Sequence, residues 1–189
     1  VGGAGADVLA GGGGDDRYAA EDGWGTDTIR EEAGGGQDTL DFSAVTTDLT
    51  VRLGSLTVTS GANELAHEGA HLEVLRSGSG DDTLIGPNTT TAWYLTGQNE
   101  GRLAGVHAIT YTGIENLTGG SDTDRFVFTD DSAITGSLVG GGGADVLDYA
   151  VRTSTVTVDL QQRRASGIGG SVASLETLVG NAEIGRAHV

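Results

Sequence analysis

The sequence contains no cysteine, no methionine and no lysine, and only one proline among its 189 residues. The absence of cysteine excludes disulfides, iron–sulfur clusters, thiol catalysis and cysteine-ligated zinc. The absence of lysine excludes a Walker A phosphate loop, although the chain holds 34 glycines. Aromatic residues make up 5% of the chain, which predicts a thin hydrophobic core rather than a large one.

Positive charge is also scarce, because 27 acidic residues stand against ten basic residues, all of them arginine. The formal net charge of −17 repels nucleic-acid phosphates and anionic lipids, so neither is an expected partner. No apolar run approaches the roughly 18 residues that a membrane-spanning helix needs. So many carboxylates predict that the chain binds a cation.

Neither end of the chain carries a recognisable targeting signal. Because the chain opens at Val1 inside a repeat and has no methionine, we expect it to be a segment of a longer protein. Residues 183–189 read EIGRAHV and resemble the translation of a sequencing adapter. We expect these seven residues to be adapter read-through rather than native sequence.

A nine-residue repeat occurs seven times and approximates G-G-x-G-x-D-x-U-x, where U is a large apolar residue. Glycine turns with positive φ let carbonyl oxygens converge, and carbonyls together with aspartate carboxylates are ligands that Ca²⁺ prefers. The last three residues of each copy predict a short strand with U pointing inward. The copies are 2–10, 11–19, 22–30, 33–41, 77–85, 119–127 and 140–148, with Leu9, Tyr18, Ile29, Leu40, Leu84, Phe126 and Leu147 at U.

These stretches resemble the RTX, or haemolysin-type, calcium-binding repeats of secreted bacterial proteins. The resemblance implies a β-roll in which loops separated by one intervening repeat share an ion, so that Asp7 would pair with Asp27 and Asp16 with Asp38. The RTX resemblance also implies export in the unfolded state by a type I secretion system. The ligands it implies in residues 1–41 are Gly2, Gly3, Gly5, Asp7, Gly11, Gly12, Gly14, Asp16, Gly23, Gly25, Asp27, Gly34, Gly36 and Asp38.

Three further copies lie apart from this block, and each lacks a nonapeptide neighbour in the sequence. Their position-six residues are Asp82, Asp124 and Asp145. Two interpretations stay open for each, since a Gly–Asp loop can hold an ion or can form a structural turn. We include all three among the candidate metal ligands.

A longer repeat overlies the nonapeptides, because residues 36–53 align without gaps on residues 143–160 at an offset of 107. Both copies end in the apolar/polar alternation typical of a half-buried strand. The sequence from about residue 34 to residue 180 resembles units of large secreted β-strand-repeat proteins and adhesins of bacteria. A short motif, L/I-E-x-L, recurs at residues 72–75, 114–117 and 175–178.

Residues 67–71 read HEGAH and match the zinc-protease signature H-E-x-x-H. A working site needs both histidines on one helical face, a third ligand and a cleft. Alignment of the first L-E-x-L motif on the third places Gly170 and Ser171 opposite His67 and Glu68. We therefore predict that the histidines lie on an exposed turn and that the motif does not support zinc catalysis.

The sequence predicts an all-β fold, with a calcium-binding β-roll over residues 1–41 that continues into a right-handed parallel β-solenoid over residues 42–180. The predicted function is that of a calcium-binding structural segment of a large secreted or cell-surface bacterial protein, adhesin-like and not itself an enzyme. Calcium outside the cell would drive folding, because the acidic loops repel one another without it. The target of such an adhesin, a cell surface or a carbohydrate, is not identifiable from the sequence.

Two alternatives involve enzymes. The chain could be the accessory repeat region of a secreted protease, lipase or polysaccharide-modifying enzyme whose catalytic domain lies outside these residues. A calcium-independent carbohydrate-active β-helix would need a groove lined by carboxylates and aromatic residues. Trp24, Trp93 and Tyr94 are too few to indicate such a groove.

Overall fold

The computed structural model describes residues 2–31, 36–68, 72–105, 108–181 and 184–188, the last range by its backbone alone. The regular structure in these residues is all strand, which confirms the predicted all-β class. Within these ranges no helix is long and apolar enough to cross a membrane. The strands are β1 (Val8–Ala10), β2 (Arg17–Glu21), β3 (Thr26–Arg30), β4 (Thr39–Ala44), β5 (Thr50–Arg52), β6 (Thr57–Ser60), β7 (Asn63–Glu68), β8 (Val74–Arg76), β9 (Thr83–Ile85), β10 (Thr91–Gly97), β11 (Glu100–Ala104), β12 (Ile109–Thr112), β13 (Asn116–Thr118), β14 (Asp124–Phe128), β15 (Leu138–Val139), β16 (Val146–Asp148), β17 (Val156–Asp159), β18 (Arg164–Ala165), β19 (Val172–Ala173), β20 (Thr177–Val179) and β21 (Ile184–His188).

Each nonapeptide ends in a short strand, as the repeat predicts. The apolar residue at position eight of each copy lies in that strand. Leu9, in β1, is partly buried and packs against the core. The other six apolar residues are buried: Tyr18, Ile29, Leu40, Leu84, Phe126 and Leu147.

Two nine-stranded sheets and one three-stranded sheet contain the strands. In the two large sheets, parallel pairs join strands that have one other strand between them in the chain, such as β1 with β3, β2 with β4, and β14 with β16. The apolar residues of paired strands lie side by side, as Tyr18 does opposite Leu40. The strand orders are β1-β3-β7-β6-β5-β9-β13-β15-β19, β2-β4-β8-β12-β11-β10-β14-β16-β20 and β18-β17-β21.

The sheets are mixed, which departs from the purely parallel stacking expected for residues 42–180. Antiparallel pairing occurs in β5–β6–β7, in β10–β11–β12 and between β17 and β18. Non-glycine residues with positive φ turn the chain back in these hairpins. They are Leu56 (φ 50°), Asn99 (φ 57°) and Arg163 (φ 55°).

One hydrophobic cluster takes residues from both nine-stranded sheets. The few aromatic side chains meet in pairs inside it, which lets a small number of large residues fill a narrow interior. The ring centroids lie 5.5 Å apart for Trp24–Phe42, 5.3 Å for Trp93–Phe126 and 5.4 Å for Phe128–Tyr149.

The 107-residue repeat seen in the sequence recurs as a structural repeat. Asp41 lies beside Arg17, with 2.6 Å between Oδ2 and Nη2, and Asp148 forms the same ion pair with Arg125. The positive-φ residues Leu56 and Arg163 share the offset. The repeat is imperfect at its end, because Leu53 is buried whereas the aligned Leu160 is 49% exposed.

Candidate metal centre

The glycine-rich turns bring backbones into close contact across successive repeats. A Cβ on Gly25 would lie 2.3 Å from the carbonyl oxygen of Gly5, and a Cβ on Gly36 would lie 2.5 Å from the carbonyl carbon of Gly14. Only glycine therefore permits this stacking. The candidate glycines with positive φ are Gly3 (93°), Gly5 (145°), Gly12 (85°), Gly14 (112°), Gly23 (82°), Gly25 (87°) and Gly36 (141°).

The first glycine of a copy lies against the aspartate of its own turn. A Cβ on Gly2 would lie 2.3 Å from the Asp7 side chain, and one on Gly11 would lie 2.5 Å from Asp16 Oδ2. In these two copies the turn therefore folds back on its own carboxylate. The remaining candidate, Gly34, lies outside the described residues.

The turns stack in the pairs that the resemblance implies. The backbone N–H of Asp7 donates to Asp27 Oδ1 at 3.0 Å, and that of Asp16 donates to Asp38 Oδ1 at 2.9 Å. A third pair was missed from the sequence, because the N–H of Asp124 donates to Asp145 Oδ1 at 2.8 Å. The copies at 119–127 and 140–148 are thus direct neighbours in space.

The L/I-E-x-L motifs continue the same column of carboxylates. In each motif the glutamate takes the place of a position-six aspartate and accepts a hydrogen bond from the turn before it. The sequence revealed the motif through its three copies but not this role. The hydrogen bonds run from the N–H of Asp38 to Glu73 Oε2 (2.8 Å), of Asp82 to Glu115 Oε2 (2.9 Å), and of Asp145 to Glu176 Oε2 (2.7 Å).

Four position-six aspartates keep one buried carboxylate oxygen without a hydrogen-bond donor. A buried carboxylate oxygen is costly unless a donor or a cation faces it. The turns in question all have positive-φ glycine at position four, including Gly143 (φ 115°) in the copy at 140–148. The unpaired atoms are the Oδ2 atoms of Asp16, Asp27, Asp38 and Asp145.

Two other turns supply protein donors instead. Asp82 Oδ2 accepts hydrogen bonds from the Ser77 hydroxyl and from the N–H of Gly78 at 3.1 Å. Asp124 accepts from the indole N–H of Trp93 at 2.9 Å and from the N–H of Gly120 at 2.7 Å. Both carboxylates are fully buried and have donors, which favours the structural-turn interpretation for these two copies.

The two aspartates of the third stacked pair both have a raised pKa but differ in the donors that they receive. Burial raises the pKa of Asp124, although the hydrogen bonds from Trp93 and Gly120 oppose the rise. Burial also raises the pKa of Asp145, the N–H of Asp124 opposes the rise, and the negative charge of Glu176 adds to it. Only Asp145 retains an oxygen that no protein donor satisfies.

A group of three carboxylates lies where the copies at 11–19 and 33–41 stack. Asp16, Glu31 and Asp38 each offer an oxygen, and these oxygens lie within 4.8 Å of one another. The Tyr18 hydroxyl donates a hydrogen bond to Glu31 Oε1. Burial, followed by this hydrogen bond, raises the pKa of Tyr18, so its hydroxyl stays protonated at neutral pH. Glu31 was not among the ligands expected from the sequence.

The two described residues of the HEGAH motif, His67 and Glu68, do not lie in the helix that zinc binding needs. His67 and Glu68 lie in β7, where adjacent side chains point to opposite sides. Glu68 is exposed and pairs with Arg30 at 2.8 Å. The remaining residues of the motif, including His71, lie outside the described residues.

The prediction of an exposed turn is wrong for His67, which is 5% exposed. The backbone N–H of His67 donates to the carbonyl of Leu56, just as the backbone N–H of Val172 donates to the carbonyl of Arg163. His67 therefore occupies the position of the buried Val172, two residues from the position that the motif alignment indicated. The two copies differ in length between this strand and the L-E-x-L motif, which displaced the alignment.

Comparisons with protein-family models, with curated proteins and with solved structures found no match. The functional interpretation therefore depends on the chemistry of the turns themselves. That chemistry is a stack of glycine-rich loops whose carboxylates are buried, closely spaced and, at four positions, short of donors.

Proposed function

We propose that this chain is a calcium-binding structural segment of a large secreted or cell-surface bacterial protein, adhesin-like in organisation, which folds when it binds calcium outside the cell. One observation carries the proposal, namely the buried oxygens without donors on Asp16, Asp27, Asp38 and Asp145. Calcium is a hard cation that takes 6–8 oxygen ligands. Stacked carboxylates and turn carbonyls are a donor set of this kind.

The proposed ions lie between stacked turns. One site uses the turns of Asp7 and Asp27, a second those of Asp16 and Asp38, and a third the turn of Asp145. Carboxylate oxygens and glycine carbonyls supply the ligands in each. The parallel pairs β1–β3 and β2–β4 would then be successive coils of a right-handed β-roll, with the ions along its turns.

Electrostatics explains why folding would need the ion. The net charge of −17 opposes compaction, and each column of stacked carboxylates concentrates that repulsion. A buried carboxylate without a partner costs several kcal/mol, as an order of magnitude. Extracellular calcium at about 10⁻⁴–10⁻³ M suits weak sites of this class. The RTX resemblance supports secretion through a type I system.

A calcium titration of the whole chain tests the proposal. We expect the β-sheet circular dichroism signal to grow as calcium is added to protein in chelator, and to fall when chelator returns. Asp38→Asn removes one ligand charge and should weaken calcium binding at least tenfold. Asp131→Asn removes the same charge at an exposed position and serves as the matched control.

The result that would overturn the proposal is equally direct. A chain with complete β-structure in excess chelator, and no heat of calcium binding by calorimetry, does not fold by binding calcium. Equal weakening by Asp38→Asn and Asp131→Asn would indicate general charge screening rather than ligation at the turns.

A further inference from the structure

Glu31 lies outside the nonapeptides and yet reaches a nonapeptide site. It is the first residue after β3, immediately beyond the copy at 22–30. One of its carboxylate oxygens lies within 4.8 Å of oxygens from Asp16 and Asp38. The repeat pattern alone gives no reason for a third carboxylate at this place.

Each carboxylate of the cluster has one buried oxygen that lacks a donor. Asp38 is 0% exposed, and its Oδ2 has no hydrogen-bond partner. Asp16 Oδ2 and Glu31 Oε2 are also buried and unpartnered. The three carboxylates have oxygens within 4.8 Å of one another, and each also carries an oxygen without a donor, which favours a cation there.

No arginine adjacent to these residues in sequence neutralises the cluster. Arg17 pairs with Asp41, and Arg30 pairs with Glu68. A side-chain donor that does reach the cluster is the Tyr18 hydroxyl, which donates to Glu31 Oε1 and leaves Oε2 unpartnered. This hydrogen bond orients Glu31 without contributing positive charge.

Gly11 closes one side of the cluster. A Cβ on this residue would lie 2.4 Å from Tyr18 Oη, 2.5 Å from Asp16 Oδ2 and 2.6 Å from Glu31 Oε1. Any side chain at position 11 would therefore push these oxygens apart. The backbone of Gly11 holds the three groups close, so the turn is shaped around Glu31 as well as around its own aspartate.

We propose that Glu31 is a third carboxylate ligand of the calcium ion held between the turns of Asp16 and Asp38, and that this site binds calcium more tightly than the others. The inference rests on the proposed function. Affinity at calcium sites rises with the number of charged ligands. Among the described residues no other group of three acidic or histidine side chains has this spacing.

The test uses terbium as a calcium probe on the whole chain. One equivalent of terbium fills the tightest site, and its luminescence lifetimes in H₂O and D₂O count the waters bound to the ion. Glu31→Ala should add one or two waters and weaken calcium competition at least tenfold. Glu64→Ala changes the same residue type at an exposed strand position and should leave both values as in the unaltered chain.

The outcomes separate the inference from the proposed function. If the unaltered chain binds neither calcium nor terbium, both fail. If it binds them and Glu31→Ala matches it in affinity and water count, Glu31 is not a ligand and the proposed function stands. If Glu31→Ala loses its β-structure in saturating calcium, Glu31→Gln replaces it as the test variant. Glutamine keeps the side-chain volume and the acceptor for Tyr18 but removes the charge. Unchanged calcium affinity in Glu31→Gln overturns the inference.

Discussion

Asp38 has two separate structural roles that use different atoms. In Asp38 the backbone N–H donates to Glu73, while the carboxylate accepts from the N–H of Asp16. The remaining oxygen is the one without a donor. Asparagine can keep the accepting oxygen but not the charge, so substitution to asparagine separates the hydrogen-bonded column from ion binding.

Some single glycines also occupy positions that no other residue can take without strain. Gly141 has φ of 106°, and a Cβ on it would lie 2.2 Å from the carbonyl oxygen of Gly120. We predict that Gly141→Ala lowers the free energy of unfolding by at least about 1–3 kcal/mol. Gly13 has no heavy atom within 4 Å of a built Cβ, so Gly13→Ala should leave stability unchanged or raise it by up to about 1 kcal/mol. Urea unfolding in saturating calcium measures both, and equal losses would contradict the prediction.

Asp130 joins two stretches of chain through an exposed carboxylate. Hydrogen bonds from Thr153 and Ser154 hold the pKa of Asp130 well below its ordinary range. A group whose folded pKa is depressed contributes stability above its unfolded pKa of about 3.9, and that stability is lost as pH falls toward the folded pKa. Nuclear magnetic resonance of the Asp130 carboxyl carbon should show this low pKa. In Asp130→Asn the loss of stability below about pH 4 should be smaller. A measured pKa at or above 3.9 would contradict the prediction.

At the scale of elements, the glutamate of the L/I-E-x-L motif accepts the hydrogen bond at the end of three stacked columns, those of Asp38, Asp82 and Asp145. Glu115 accepts hydrogen bonds from the N–H of Asp82 at 2.9 Å and from the side chain of Asn99 at 2.7 Å. Burial, and the negative charge of Asp82, raise the pKa of Glu115. The motif therefore needs a hydrogen-bond acceptor at Glu115 more than it needs a negative charge there.

We predict that Glu115→Ala lowers the free energy of unfolding by about 1–3 kcal/mol, because the buried N–H of Asp82 loses its partner. Glu115→Gln keeps an acceptor oxygen and removes the charge, so it should cost clearly less. Glu64→Ala, at an exposed position, is the control for loss of a glutamate. Chemical denaturation in saturating calcium gives all three values. A glutamine variant as unstable as the alanine variant would show that the charge itself matters.

The sequence predicted those features of the elements that depend on local repetition. The inward residues such as Ile29 and the stacking of Asp7 on Asp27 both follow from the nonapeptide. The contact of Asp124 with Asp145 was missed because no nonapeptide copy lies between these two copies, so the rule of one intervening repeat did not pair them. The sequence could have indicated the donor to Asp82, by contrast, because Ser77 replaces glycine at position one of that copy. Its hydroxyl donates a hydrogen bond to Asp82 Oδ2. The indole of Trp93 gave no such signal, because it reaches Asp124 across 31 residues.

Sequence alignment also failed where the two long copies differ in length. His67 looked like a loop residue because the L-E-x-L motifs were aligned first, yet backbone hydrogen bonding makes it the counterpart of Val172. Hairpins such as β10–β11–β12 carry no repeat signature, so the mixed sheets could not be predicted from periodicity. Repetition thus identifies the turns well and the chain between them poorly.

The whole molecule divides into parts that differ in how their carboxylates are neutralised. The turns near residues 2–41 and the turn of Asp145 have oxygens without donors. Between them, the turns of Asp82 and Asp124 are closed by protein donors. Stacked repeats contact only their neighbours, so one part of the stack can lose structure while another keeps it. Calcium dependence should therefore vary along the chain.

Hydrogen exchange measured by mass spectrometry, with calcium and with chelator, tests this division. In chelator we predict rapid exchange at Thr26 and Thr39, whose N–H groups bind the carbonyls of Gly5 and Asp16 in donor-poor turns. Peptides covering residues 83–128 should stay protected, because their carboxylates keep protein donors and the Trp93–Phe126 pair remains buried. Trp93→Phe removes the indole donor and should make exchange in residues 91–128 depend on calcium as well. Uniform loss of protection along the whole chain in chelator would contradict the prediction. It would mean that the stack folds as one unit and that the protein donors to Asp82 and Asp124 do not keep their turns folded without calcium.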